Sequence, residues 1–78
     1  MPRYFFHLHN DLDSYDDEGR EMDDAVQARR CAEQDARDMA AEGVRAGELN
    51  RSHHVDVTDA GGTLLFSVRF GEVVRVVG

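Results

Sequence analysis

Residues 55–70 read VDVTDAGGTLLFSVRF, and this stretch decides the fold because two strand-forming runs flank a tight turn. Val55 and Val57 share one face of the first run. Between the runs, residues 59–62 (DAGG) supply glycines that readily take the positive φ angles of a tight turn. The stretch therefore predicts an antiparallel β-hairpin. The apolar side chains predicted to share one face of its second strand are Leu64, Phe66, Val68 and Phe70.

Upstream of the hairpin, residues 24–47 predict one long helix. Asp24 suits the N-cap position because its carboxylate can accept from the first turn, and Gln27 completes a capping box. Gly47 predicts the end of the helix. Small residues at spacings of three and four are typical of a helix that lies close on a sheet, and these are Ala25, Ala28, Ala32, Ala36, Met39, Ala40 and Gly43.

The N-terminal run RYFFHLH, residues 3–9, predicts a first strand because it is rich in aromatic residues. A short strand at residues 19–22 is expected beside it, and the tail EVVRVV, residues 72–77, favours a further edge strand. The sequence thus predicts a single α+β domain over residues 1–78. It has a small antiparallel sheet of three to five strands with one long helix on one face, in the order β-(β)-α-β-β.

The negative charge of the chain lies in one segment. The formal net charge is −7, and residues 11–24 hold eight acids and only one base, Arg20, so the remainder is neutral. The arginines of the helix are interleaved with acids that cancel the positive field needed for phosphate recognition. We therefore expect no direct binding of nucleic acid.

The chain contains neither a signal-like segment nor an apolar run long enough to span a membrane. Its single cysteine, Cys31, fits a reducing compartment better than a disulfide-bonded secreted scaffold. These features predict a cytoplasmic protein without a membrane partner.

Several segments together resemble a known family: PRYFFH at residues 2–7, an acidic turn ending in DDEG, a helix rich in alanine and arginine, and the hairpin. The chain is similar to short uncharacterised proteins of rhizobia and related alphaproteobacteria, from Pro2 to Phe70. The resemblance implies the fold and brings no established activity. A looser likeness, of topology alone, is to HicB-type antitoxins, whose glycine and proline markers are missing here.

The acidic turn predicts a contact surface for a basic protein partner. Its candidate residues are Asp11, Asp13, Asp16, Asp17 and Glu18. We also expect these carboxylates to be exposed and to contribute little to folding, because clustered like charges repel. An EF-hand register fails, since Asp16 stands where glycine is needed and Met22 where a bidentate glutamate is needed. Weak cation attraction and a plain solvated turn stay open as alternatives.

Histidines predict a second kind of site. His7 and His9 share one face of the first strand. His53 and His54 begin another strand, and Asp56 follows them. These five residues are therefore candidate ligands for a transition metal. The leading hypothesis is a non-enzymatic interaction or regulatory domain without a cofactor. The alternative is a metal-binding protein or small metal-dependent enzyme that uses these histidines.

Several apolar residues lie outside the expected core, which indicates self-association as a homodimer. Phe5 and Leu65 alternate away from the helix-facing side chains, and Val74 and Val76 lie in the β-prone tail. The alternative is that the tail folds back and covers Phe5 and Leu65 within one chain.

Overall fold

A computed structural model describes all of residues 1–78 as one antiparallel sheet with one long helix packed against it. The strand order is β2-β1-β4-β5, and β3 also pairs with β1. The predicted α+β fold is confirmed. In chain order the elements are β1 (Arg3–His9), β2 (Asp13–Ser14), β3 (Arg20–Glu21), α1 (Ala25–Arg45), β4 (His54–Thr58), β5 (Leu64–Arg69) and α2 (Phe70–Val73).

Helix α1 begins and ends as its sequence predicts. The side chain of Asp24 accepts a 3.0 Å hydrogen bond from the backbone N–H of Gln27. After the helix ends, Gly47 takes a φ of 98°, which costs glycine little. The buried stripe consists of alanine alone, at Ala28, Ala32, Ala36 and Ala40.

The large side chains of the core come from the strands and from Phe70. Because alanine has no long side chain, α1 lies close on the sheet, and the aromatic and β-branched residues of the sheet fill the space. The second face of the sheet is left without a helix and carries polar side chains of β1 and β4. The buried large residues are Tyr4, Phe6, Val55, Val57, Val68 and Phe70.

The acidic turn runs along the outer edge of β1 rather than projecting into solvent. Strand β2 pairs with Leu8 and His9 at one end of β1, and β3 pairs with Arg3 and Tyr4 at the other. Between them, Asp16 Oδ2 accepts a 3.1 Å hydrogen bond from the backbone N–H of Phe6. The turn therefore covers the edge that β1 would otherwise present.

Gly19 lets this turn approach β1 closely. Its φ is +72°, and a Cβ at this position would lie 2.8 Å from Arg3 Cγ and 3.0 Å from the backbone oxygen of Tyr4. A larger residue would therefore strain the backbone and clash with β1.

Two sequence predictions about the C-terminal half are wrong. The tail forms no strand; instead Phe70–Val73 is a helical turn, and Val73 and Val74 pack against the buried core. The predicted shared face of β5 is interrupted at Leu64, which is 56% exposed and lies opposite Thr58, because the β4–β5 register shifts between Val57 and Thr58. Neither helix has a stretch long and apolar enough to cross a membrane.

Candidate metal centre

The pairing of β1 with β4 brings three candidate ligands together on the open face of the sheet. His9 lies directly opposite His54, and Asp56 is two residues further along β4. His9 Nε2 is 3.1 Å from Asp56 Oδ2, and His54 Nε2 is 3.6 Å from Asp56 Oδ1. The two imidazole rings stack with centroids 4.8 Å apart. One ligand atom from each residue thus lies within 4.8 Å of the other two.

Each ring also has an oxygen within hydrogen-bond distance on the side away from Asp56. Nδ1 of His9 is 2.9 Å from Asp13 Oδ1, and Nδ1 of His54 is 3.3 Å from the backbone oxygen of Ser52. A carboxylate and a carbonyl only accept, so both Nδ1 atoms carry the hydrogen. Each Nε2 atom then faces Asp56 either with a lone pair, in a neutral ring, or with an N–H, in an imidazolium.

This arrangement places three electron-rich groups around one point. Ser67 Oγ donates a hydrogen bond to Asp56 Oδ1, but no donor stands between Asp56 and either Nε2 atom. The carboxylate and the lone pairs repel unless a cation lies between them. That cation is either a proton on Nε2, which makes an imidazolium, or a metal ion.

The distances fit a tetrahedral transition-metal site. With metal–ligand bonds of about 2.0–2.1 Å, neighbouring ligand atoms lie about 3.3 Å apart. The observed separations of 3.1 and 3.6 Å lie on either side of this value, one to each oxygen of the Asp56 carboxylate, and one ligand atom from each of the three residues lies within 4.8 Å of the others. Two imidazole nitrogens and one carboxylate suit zinc, cobalt, nickel or iron better than calcium, which prefers oxygen ligands.

The other two candidate histidines lie outside this cluster. His7 Nδ1 accepts from the backbone N–H of Asp16 at 3.0 Å, and its Nε2 lies 3.2 Å from Thr58 Oγ1, so both nitrogens are engaged. His53 stands edge-on to Phe70 and borders a cleft of about 300 Å³ beside the C-terminal end of α1. Its Nε2 lies 3.4 Å from Asp11 Oδ1.

The candidate carboxylates of the acidic turn have different roles. Asp13 holds His9, whereas Asp16 accepts from the backbone N–H groups of Phe6, Glu18 and Gly19. Partial burial raises the pKa of Asp16, but these hydrogen bonds and the charge of Arg20 outweigh it and hold that pKa below its ordinary value. The prediction that all of these carboxylates are exposed is therefore wrong for Asp16, which is half-buried, and its hydrogen bonds favour a contribution of Asp16 to folding.

Asp17 and Glu18 match the predicted exposed surface more closely. Both are exposed, and neither carboxylate forms an ion pair.

Sequence reasoning did not identify Asp13 as the partner of His9 or Ser67 as the donor to Asp56. The signal for Asp13 was its position four residues after His9, across a turn in which Asn10 Oδ1 accepts from the backbone N–H of Leu12. The signal for Ser67 was weaker, because it depends on the register that places Ser67 opposite Asp56.

The predicted self-association residues differ in exposure. Phe5 is half-buried and alternates with buried Tyr4 and Phe6, so it faces the open side of the sheet. Leu65 and Val76 are exposed, whereas Val74 packs against the core. Self-association stays a prediction.

Most of the chain matches the model of a known protein family. Residues 3–71 match the model of a family described as a domain of unknown function, DUF6894. The match includes all three residues of the cluster. No curated protein and no solved structure matches the chain. The predicted membership of a family of uncharacterised proteins is confirmed.

Proposed function

The chain belongs to the DUF6894 family, and from the chemistry of its open sheet face we propose that this domain binds a divalent transition-metal ion through His9, His54 and Asp56. The orientation of the two imidazoles carries the proposal. Each ring donates Nδ1–H to an oxygen and turns Nε2 toward the same carboxylate. Metal-bound histidines characteristically make this outer hydrogen bond, which fixes the tautomer and raises the basicity of the ligating nitrogen.

The proposed role is binding rather than catalysis. Ser67 already donates its hydroxyl hydrogen to Asp56, and Cys31 Sγ accepts from the guanidinium of Arg20 at 2.7 Å. The base beside Ser67 is Asp56, which this proposal assigns to the metal ion, and the neighbour of Cys31 is a guanidinium, which cannot act as a base, so neither side chain has the dedicated nucleophile–base pair of covalent catalysis. The ion serves either to bind a ligand or to hold β1 and β4 together.

Metal titration of protein made without a histidine tag tests the proposal. We expect one Zn²⁺ or Co²⁺ per chain after dialysis, and a higher Tm because an ion that binds only the folded state stabilises it. Ca²⁺ should give no shift. His9→Ala and Asp56→Asn should abolish binding.

His53→Ala is the matched control, because it removes a neighbouring histidine that lies outside the cluster and should leave metal binding intact. Absence of stoichiometric metal, with no thermal shift from zinc, cobalt or nickel, contradicts the proposal. In that case a proton on Nε2 is the cation that the cluster holds.

A second role is favoured by the exposed, unpaired carboxylates of Asp17 and Glu18. They provide a negative surface for a basic protein, on a turn that Asp16 holds in place. The double variant Asp17→Asn/Glu18→Gln should lose any basic protein that copurifies with the wild type, while metal binding stays unchanged. A partner retained by this variant would contradict the assignment of that surface.

A further inference from the structure

We infer that the metal ion is presented to an oxyanion ligand, a phosphate or carboxylate group, and that Arg69 is the second anchor for that ligand. This inference rests on the proposed function, since it concerns the coordination position that the protein leaves open.

The cluster supplies three ligands, whereas a tetrahedral ion takes four. Side-chain exposures are 20% for His9, 23% for Asp56 and 34% for His54, so the cluster reaches solvent on the open face. Sites with three protein ligands keep the fourth position for water or an exchangeable ligand. The structure therefore leaves room for a ligand from outside the chain.

Arg69 is placed to meet that ligand. It lies directly across from His54 in the β4–β5 register, and opposed residues project to the same face with Cβ atoms about 5 Å apart. Its side chain is long enough to extend over the neighbouring imidazole. Arg69 is exposed and takes part in none of the ion pairs of the structure, which engage Arg3, Arg20, Arg29 and Arg45.

The charges around the open position favour an anion. A divalent ion with two neutral imidazoles and the carboxylate of Asp56 keeps one net positive charge. Asp13 lies on the Nδ1 side of His9, away from the metal-facing nitrogens. Arg69 adds a planar guanidinium, whose paired N–H groups match the geometry of phosphate and carboxylate oxygens.

The test uses the full chain loaded with Co²⁺, whose visible absorption reports changes in coordination. Inorganic phosphate and, separately, acetate are titrated at concentrations that keep the cobalt in solution. We expect a saturable spectral change. Arg69→Gln should weaken anion binding about tenfold, the usual loss for a charge-assisted hydrogen bond. Arg75→Gln, which removes an exposed arginine of the tail, should have no effect.

The outcomes separate the two proposals. If Co²⁺ binds stoichiometrically but neither anion changes its spectrum, the open position takes no oxyanion, and only this inference is wrong. If an anion binds with equal affinity to Arg69→Gln and Arg75→Gln, Arg69 is not its anchor. If Co²⁺ does not bind, both proposals fail together. Stronger binding of phosphate or of acetate identifies which oxyanion the position prefers.

Discussion

Asp16 Oδ2 lies 3.1 Å from the backbone nitrogen of Phe6 and accepts its hydrogen, so a side chain takes the place of a strand neighbour in the middle of β1. The same carboxylate accepts from the backbone N–H groups of Glu18 and Gly19. One acid therefore connects the turn to the sheet, although it belongs to a segment whose charges repel one another.

Replacing Asp16 with asparagine should destabilise the protein. The amide offers one acceptor oxygen where the carboxylate offers two, and its NH₂ group faces N–H donors. We expect the free energy of unfolding to fall by about 1 kcal/mol, which is modest because the turn is partly solvated. Thermal denaturation measures this as a Tm lower by about 4–8 °C. Asp17→Asn is the control, and its Tm should equal or exceed that of the wild type.

The effect of Asp16 should depend on pH. The pKa of its carboxyl is lower in the folded chain than its ordinary value of 3.8, so its stabilisation is complete above that value. It is lost as the pH falls through the folded pKa. The Tm difference between wild type and Asp16→Asn should therefore be constant from pH 7 to 5 and shrink below about pH 4. A difference that persists at pH 2 would show that the carboxylate charge is not the cause.

Asp13 should affect metal binding without affecting the apo fold. Asp13→Ala removes the acceptor that orients His9, and loss of such an outer partner typically costs about 10–100-fold in affinity. Calorimetric titration with Zn²⁺ measures the change. Ser14→Ala, in the same two-residue strand, should bind as the wild type does. Equal affinity in both variants would mean that Asp13 does not position the ligand.

The alanine stripe should tolerate no added volume. Ala32 is fully buried on the face of α1 that packs against the sheet. Ala32→Leu should therefore push the helix and the sheet apart and lower the free energy of unfolding by about 1–3 kcal/mol. Ala41→Leu makes the same change at an exposed position of the same helix and should leave the Tm within a few degrees. Chemical denaturation of both variants tests this, and equal stabilities would show that the core is loosely packed.

Self-association should depend on Leu65 and not on Leu12. Leu65 is 41% exposed on edge strand β5, whereas Leu12 is 78% exposed in the acidic turn at the other edge. We expect light scattering at micromolar concentration to give a dimer mass for the wild type and Leu12→Asp, and a monomer mass for Leu65→Asp. A monomeric wild type at every concentration would overturn the homodimer. Val74→Asp should lower stability, because Val74 packs against the core.

Most of the fold could be predicted from the sequence because its elements depend on interactions between residues that are close together in the chain. Alternation in β1, the cap at Asp24 and the glycines of the hairpin each act over a few residues. The tail shows where such patterns fail, since EVVRVV favours a strand on its own. In the folded chain, packing of Val73 and Val74 on the core overrides that preference.

The site was less predictable because it depends on register. The sequence identified all three residues of the cluster but also His7 and His53, which it could not separate from them. Only the pairing of His9 with His54, 45 positions away, decides which imidazoles meet. A shift of one residue in that pairing would turn His54 and Asp56 toward the helix.

The turn that covers β1 has a further consequence for assembly. A sheet with two bare edges can add neighbours on both sides without limit, as fibrils do. Here residues 13–21 cover one side with two strands of only two residues each, so β5 is the one long edge that can pair with another strand. We expect assembly to stop at the dimer even at high concentration. A species larger than a dimer in sedimentation would show that residues 13–21 do not protect the edge of β1.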